Sequence, residues 1–142
     1  MGDNSSGGGS TLTQQLAKNL YPRNERNKTN IVVNKVKEMI IAKRLEKTYS
    51  KKEILTNYLN TVSFGDNTFG IESAALKFFN TRTKDISAPQ AATLVGMLKA
   101  TYGYNPRIFP EKSLGRRNLV LRAMYNNDFI TEEQVTKFSQ ED

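Results

Sequence analysis

Lys35 and Glu38 are the side chains in this sequence best spaced to do chemistry together. A separation of three places both on one face of a helix, within reach of each other. Glu38 also falls among Ile41 and Ala42, on a stripe that is otherwise apolar. Two readings stand side by side. One is a solvated surface pair, stabilising by about a few tenths of a kcal/mol. The other is a site carboxylate in the wall of a cleft. There burial would favour its neutral form, and the lysine its charged form. A second cluster lies earlier, where Ser10, Thr11, Thr13, Gln14 and Gln15 put five hydrogen-bonding side chains into six residues. Gln15, Lys18 and Asn19 are spaced i, i+3, i+4 and share a face that could grip a sugar or a phosphate. The same residues also read as a helix cap with a wet first turn. Arg116 and Arg117 read either as a solvated pair or as a phosphate clamp, and Lys51-Lys52 as a solvated basic turn.

What is missing narrows the chemistry. The 142 residues contain no His and no Cys. That excludes a Ser-His-Asp triad, thiolate nucleophiles, disulfides and the common zinc sites, and leaves proton transfer to Glu, Asp, Lys or Tyr. The net charge is +7, and residues 18–52 alone carry eleven Lys and Arg against Glu25, Glu38 and Glu46. A block of that sign suits nucleic acid, anionic lipid headgroups or a phosphorylated substrate. No run of about 18 apolar residues is present to span a bilayer, and the opening MGDNSSGGGS has no apolar core of a signal peptide.

The elements that must carry these residues are helices. Length favours one domain with a real core. Residues 1–7 read as a linker or cloning scar, and 8–142 as the domain. Thr11 with Gln14, Ser50 with Glu53, Ser87 with Gln90 and Thr131 with Gln134 have capping-box spacing. Helices are expected from about 11 to 21, 30 to 49, 51 to 61, 70 to 79, 88 to 100, 111 to 126 and beyond 131. Phe64-Gly-Asp-Asn-Thr68 is expected to turn, and YGYNPRIFP (102–110) to loop and pack. Leu12, Leu16 and Leu20 would face the core. The helix over 31–49 is apolar on two sides, with Val32, Val33, Val36, Met39 and Ile40 on one arc and Ile31, Ile41, Ala42 and Leu45 on the other. That pattern predicts a central helix. Strand signals are poor, so the fold class is mainly α.

Taken in order, these segments resemble the bacterial peptidoglycan glycosyltransferase family, the module of class A penicillin-binding proteins and monofunctional transglycosylases. The stretch GGSTLTQQLAKNL (8–20) carries the resemblance most specifically. Lys35-x-x-Glu38 with Ala42-x-x-Leu45-Glu46 looks like the family's third motif, Lys52-Glu53-Ile54-Leu55-x-x-Tyr58-Leu59-Asn60 its fourth, and Arg117-Asn118-x-Val120-Leu121 its fifth. The resemblance implies a mainly α, lysozyme-like fold. It implies polymerisation of lipid II by inverting transfer of the growing glycan to a sugar 4-hydroxyl, with loss of undecaprenyl pyrophosphate. It carries Glu38 over as the second carboxylate of the cleft. Ser10, Thr11, Gln14, Gln15, Lys18, Asn19, Lys35 and Arg117 become the substrate-binding set. Expected partners are lipid II, the glycan strand, an anionic membrane surface and the family's phosphoglycolipid inhibitor, with no nucleic acid. No cofactor is required that the sequence shows. A divalent cation bound through the substrate pyrophosphate is compatible with it.

The chain also departs from the family pattern. The first motif, with its Glu-Asp pair, an aromatic and a His, should precede Gly8, where MGDNSSG stands instead. The expectation is therefore an N-terminally truncated domain lacking the general-base glutamate, very weak alone, from a parent at the outer face of the cytoplasmic membrane. This chain itself shows no anchor or signal. Asn34 occupies the place of an Arg usual beside Lys35. Other function classes make different predictions. A basic helical nucleic-acid-binding domain predicts salt-sensitive DNA or RNA affinity. A lysozyme-like hydrolase needs two carboxylates across a sugar.

Overall fold

The computed structural model describes residues 11–21 and 30–141. Seven α-helices lie among them: α1 (Leu12–Leu20), α2 (Asn30–Thr48), α3 (Lys51–Thr61), α4 (Ile71–Phe79), α5 (Ala88–Met97), α6 (Pro110–Asn126) and α7 (Glu132–Ser139). Their starts follow from local chemistry. The first N–H groups of a helix have no partner within it, and a Ser or Thr oxygen supplies one. Ser50 and Glu53, Ser87 and Gln90, and Thr131 and Gln134 each close a reciprocal capping box at the heads of α3, α5 and α7. At α1 only half the expected box forms: the Thr11 hydroxyl accepts from the Gln14 N–H at 3.2 Å.

The chain divides into two compact units, Met1–Val62 and Ser63–Asp142. In the first unit α1 packs on both α2 and α3. Its buried face is Thr13, Leu16 and Ala17, whereas the expected partners of Leu16, Leu12 and Leu20, are exposed. Residues at i, i+3 and i+4 share a helix face, and Thr13, Leu16 and Ala17 have that spacing. From α3 come Ile54 and Tyr58, followed by Val62 at its end, one residue per turn on one stripe.

Helix α2 is not the central helix its sequence predicts. Its second arc faces the unit, with Glu38 and Ala42 buried and Ile41 and Leu45 half-buried, but Ile31 stays exposed. The first arc, Val32, Val33, Val36, Met39 and Ile40, is exposed throughout, Val32 to 71%. The reason is a shortage of neighbours: among the described residues only α1 and α3 pack on α2.

In the second unit the chain enters through a tight turn, with Asp66 and Asn67 at φ 50° and 53° and the Thr68 N–H bonded to the Gly65 carbonyl at 2.9 Å. Two successive positive φ values define a type I′ turn, which Asp and Asn tolerate. It brings Ser63 and Phe69 into an isolated antiparallel bridge and buries Phe64 completely. A 3-10 turn at Thr83–Asp85, which the sequence does not foretell, is tied to α4 through Glu72. That carboxylate accepts from the Thr83 N–H and hydroxyl and from the Arg82 Nε. The core is mostly α5, with Ala92, Thr93, Leu94, Gly96 and Met97 buried against α6. A Cβ at Gly96 would stand 3.0 Å from the Arg116 Cγ, so the bare glycine is what admits α6 so closely.

Candidate functional site

Glu38 is the charged side chain that the first unit buries, at 5% exposure. It sits on the α2 face turned toward the unit, one turn before Ala42. Its Oε2 lies 3.8 Å from the Nζ of Lys35, whose own side chain remains partly exposed. The reading in which this pair bends away to water is therefore ruled out for the carboxylate. Burying a charge is costly unless it is paired, and Lys35 supplies an opposite charge at ion-pair distance.

The polar residues of α1 fall where the packing of Thr13, Leu16 and Ala17 leaves them. Gln14 is half-buried, and Gln15, Lys18 and Asn19 are exposed on the polar side. Thr11 is occupied in capping, and Ser10 lies outside the described residues. Gln15 reaches α3, where the buried Tyr58 hydroxyl donates to its Oε1 at 3.1 Å. Burial pushes the Tyr58 phenol above its ordinary value of 10.0, so it holds its proton and donates. The motif reading places Tyr58 in the stretch that resembles the family's fourth motif but gives it no partner. Its partner is 43 positions away, and no local spacing could have revealed the bond. Two side-chain links of the first unit are thus in place among the described residues, Lys35 with Glu38 within α2 and Gln15 of α1 with Tyr58 of α3.

Arg117 belongs to the second unit and is buried, at 4% exposure. Its Nε donates to Asn118 Oδ1 at 3.1 Å, and its two terminal nitrogens to the carbonyls of Glu141 and Ser139 at 2.6 and 3.3 Å. The guanidinium clasps the chain as it leaves α7, which neither a solvated pair nor a bare phosphate clamp describes. It also borders a cavity of about 470 Å³ whose lining includes Phe79, Pro89, Thr93, Pro106 and Ser113. Neighbouring Arg116 lies over the Tyr104 ring, 5.8 Å from its centre. The exposed Lys51 and Lys52 form the solvated basic turn expected at the head of α3. Among the described residues no three acids gather to hold a metal ion, and no helix is long and apolar enough to cross a membrane.

A family profile described as transglycosylase matches residues 1–125. Penicillin-binding protein 2a of Streptococcus pneumoniae is 44% identical over 137 residues, covering 96% of this chain and 18% of that protein. Penicillin-binding protein 1A of Aquifex aeolicus is 43% identical over 127 residues, 89% of this chain and 17% of its own length. Penicillin-binding protein 1F of Bacillus subtilis is 38% identical, with the same coverage. The chain therefore spans less than a fifth of the length of these relatives.

Proposed function

The chain belongs to the transglycosylase family, and from that premise we propose that its first unit holds a lipid-linked sugar diphosphate, lipid II, for polymerisation into peptidoglycan strands. The observation that carries the reading is Glu38, buried with Lys35 beside it on the helix against which the glutamine-bearing α1 packs. The reaction forms a bond between an acceptor 4-hydroxyl oxygen and the anomeric carbon of the growing glycan. It breaks the bond from that carbon to the pyrophosphate oxygen, with inversion. Negative charge grows on the departing pyrophosphate, and fixed cations nearby stabilise it. Lys35 and the exposed Lys18 fill that role, while Thr11, Gln14, Gln15 and Asn19 offer hydrogen bonds to sugar and phosphate oxygens. Ser10 joins them by its place in the motif. Glu38 acts as the second carboxylate, stabilising positive charge as it develops at the anomeric centre. Any divalent cation arrives with the pyrophosphate.

Activating the acceptor hydroxyl calls for a further general base, a contribution typically of about 10²–10⁴-fold. Glu38 is the only buried carboxylate among the described residues of the first unit. We therefore infer that the 142-residue polypeptide binds lipid II and polymerises it slowly. The exposed apolar arc of α2, flanked by Lys37, Lys43, Arg44 and Lys47, supports contact with an anionic membrane surface, where the substrate's lipid resides. The test is binding of lipid II and of a phosphoglycolipid inhibitor in detergent. Lys35→Ala and Glu38→Ala are each expected to weaken both ligands about tenfold, the scale of one charge-assisted hydrogen bond. Affinities unmoved by both changes would remove this pair from the site.

A further inference from the structure

Ser113, Arg117 and Leu121 are spaced four apart and form the buried stripe of α6, the helix that packs on α5. That stripe carries a permanent positive charge inward. The Arg117 guanidinium meets neutral acceptors, the Asn118 amide oxygen and the carbonyls of Glu141 and Ser139. Such bonds satisfy donors but leave the charge uncancelled, and a buried charge is ordinarily paired. Among the described residues, the ion pairs join Lys35 to Glu38, Lys77 to Asp66 and Arg82 to Glu72, and leave Arg117 without a carboxylate. Glu141 has an exposed side chain and meets the guanidinium through its backbone.

The same side chain borders the cavity of about 470 Å³, a volume within the range of about 300–1,000 Å³ typical of small-molecule sites. Phe79, Pro89, Pro106 and Leu114 make much of its wall apolar, and Arg117 is the one cation among its lining residues. We propose that this cavity binds a small organic monocarboxylate, with the carboxylate paired to Arg117 and the apolar body against Phe79 and the prolines. The site goes beyond the lipid II reading and does not rest on it, since every residue it uses belongs to the second unit. A guanidinium and a carboxylate match as a planar fork, and the pairing is strongest away from water. Of the five N–H groups of Arg117, three are engaged, and each terminal nitrogen keeps one. The bond to the Ser139 carbonyl, at 3.3 Å, is the longest of the three and the readiest to yield. A phosphate fits less well, because it brings more charge and more oxygens to a wall with one cation. The clasp on the tail also orders the guanidinium before a ligand arrives, which removes part of the cost of binding.

The experiment titrates the isotope-labelled 142-residue chain with three probes, hexanoate, 1-hexanol and inorganic phosphate, and follows side-chain resonances by NMR. Hexanoate should shift the Arg117 Nε–H and the methyl groups of Thr93 and Leu114 in a saturable way. Hexanol has the same apolar body without the charge, and should bind about tenfold more weakly or worse, the scale of a charge-assisted hydrogen bond. Phosphate should leave these resonances in place. In Arg117→Gln the advantage of hexanoate over hexanol should disappear. That variant loses part of the clasp, so the comparison of probes on the unmutated chain carries the test if it folds poorly. Equal affinity for hexanoate and hexanol would overturn the proposal, because the charge would then do nothing. Phosphate binding as well as hexanoate would remove the apolar body from recognition and overturn it too. So would hexanoate shifts that never saturate, or that fall on residues outside the cavity wall.

Discussion

At the residue scale, two charged side chains among the described residues are buried in different ways. Glu38 is buried next to a lysine on its own helix, at ion-pair distance. Arg117 is buried with its guanidinium on backbone carbonyls, an arrangement that fastens two parts of the chain. The difference is testable through stability. Arg117→Ala leaves the carbonyls of Ser139 and Glu141 short of a donor and is expected to destabilise the fold by about 1–3 kcal/mol. Arg117→Lys should recover little, because a single ammonium does not reproduce the fork of the guanidinium. Chemical denaturation of the three proteins measures this. Equal midpoints would mean that the clasp contributes nothing. Motif spacing singled out position 117 but could not show this clasp, since the carbonyls it holds lie 22 and 24 residues on and are backbone atoms.

At the element scale, helix starts were readable because capping is local. A hydroxyl and a carboxyl or amide three residues apart need no other part of the protein to find each other. The 3-10 turn at Thr83–Asp85 was not readable, because Glu72 holds it from eleven residues away. Glu72 also supplies a pH dependence. The Thr83 hydroxyl and N–H, then Arg82, lower its carboxyl from 4.5 to about 2. A value lowered on folding means the stabilisation is complete above about 4.5 and is lost as pH falls toward 2. Thermal midpoints followed down that window should drop for the unmutated chain and drop less for Glu72→Gln. Parallel curves would show that the turn is held by something else.

At the scale of the whole molecule, the basic block and the bare arc of α2 belong to one argument. Eleven Lys and Arg fall within residues 18–52, and the apolar arc Val32, Val33, Val36, Met39 and Ile40 of α2 stays exposed. A surface that is both cationic and apolar suits an anionic lipid interface better than either property alone. Vesicles with anionic headgroups should bind the chain, with affinity falling as salt rises. Replacing Val36 and Ile40 together with Glu should cut that binding about tenfold or more, by removing apolar area and adding repulsion. Equal binding to neutral vesicles would exclude the charge from any part in it.

The sequence alone was sufficient for the mainly helical class, most helix boundaries, the family, and the residues worth suspecting. Each depends on neighbours within a few positions or on a pattern of residue types. Tertiary structure decided what no periodicity contains. It showed that α2 is covered on one side only, that Glu38 is on the covered side, and that Leu16 is buried while Leu12 and Leu20 are not. It also showed that Tyr58 holds Gln15 from across the first unit. A helical wheel gives each residue a direction but does not say which directions another helix will occupy. That choice belongs to packing, which sums contacts between parts of the chain far apart in sequence.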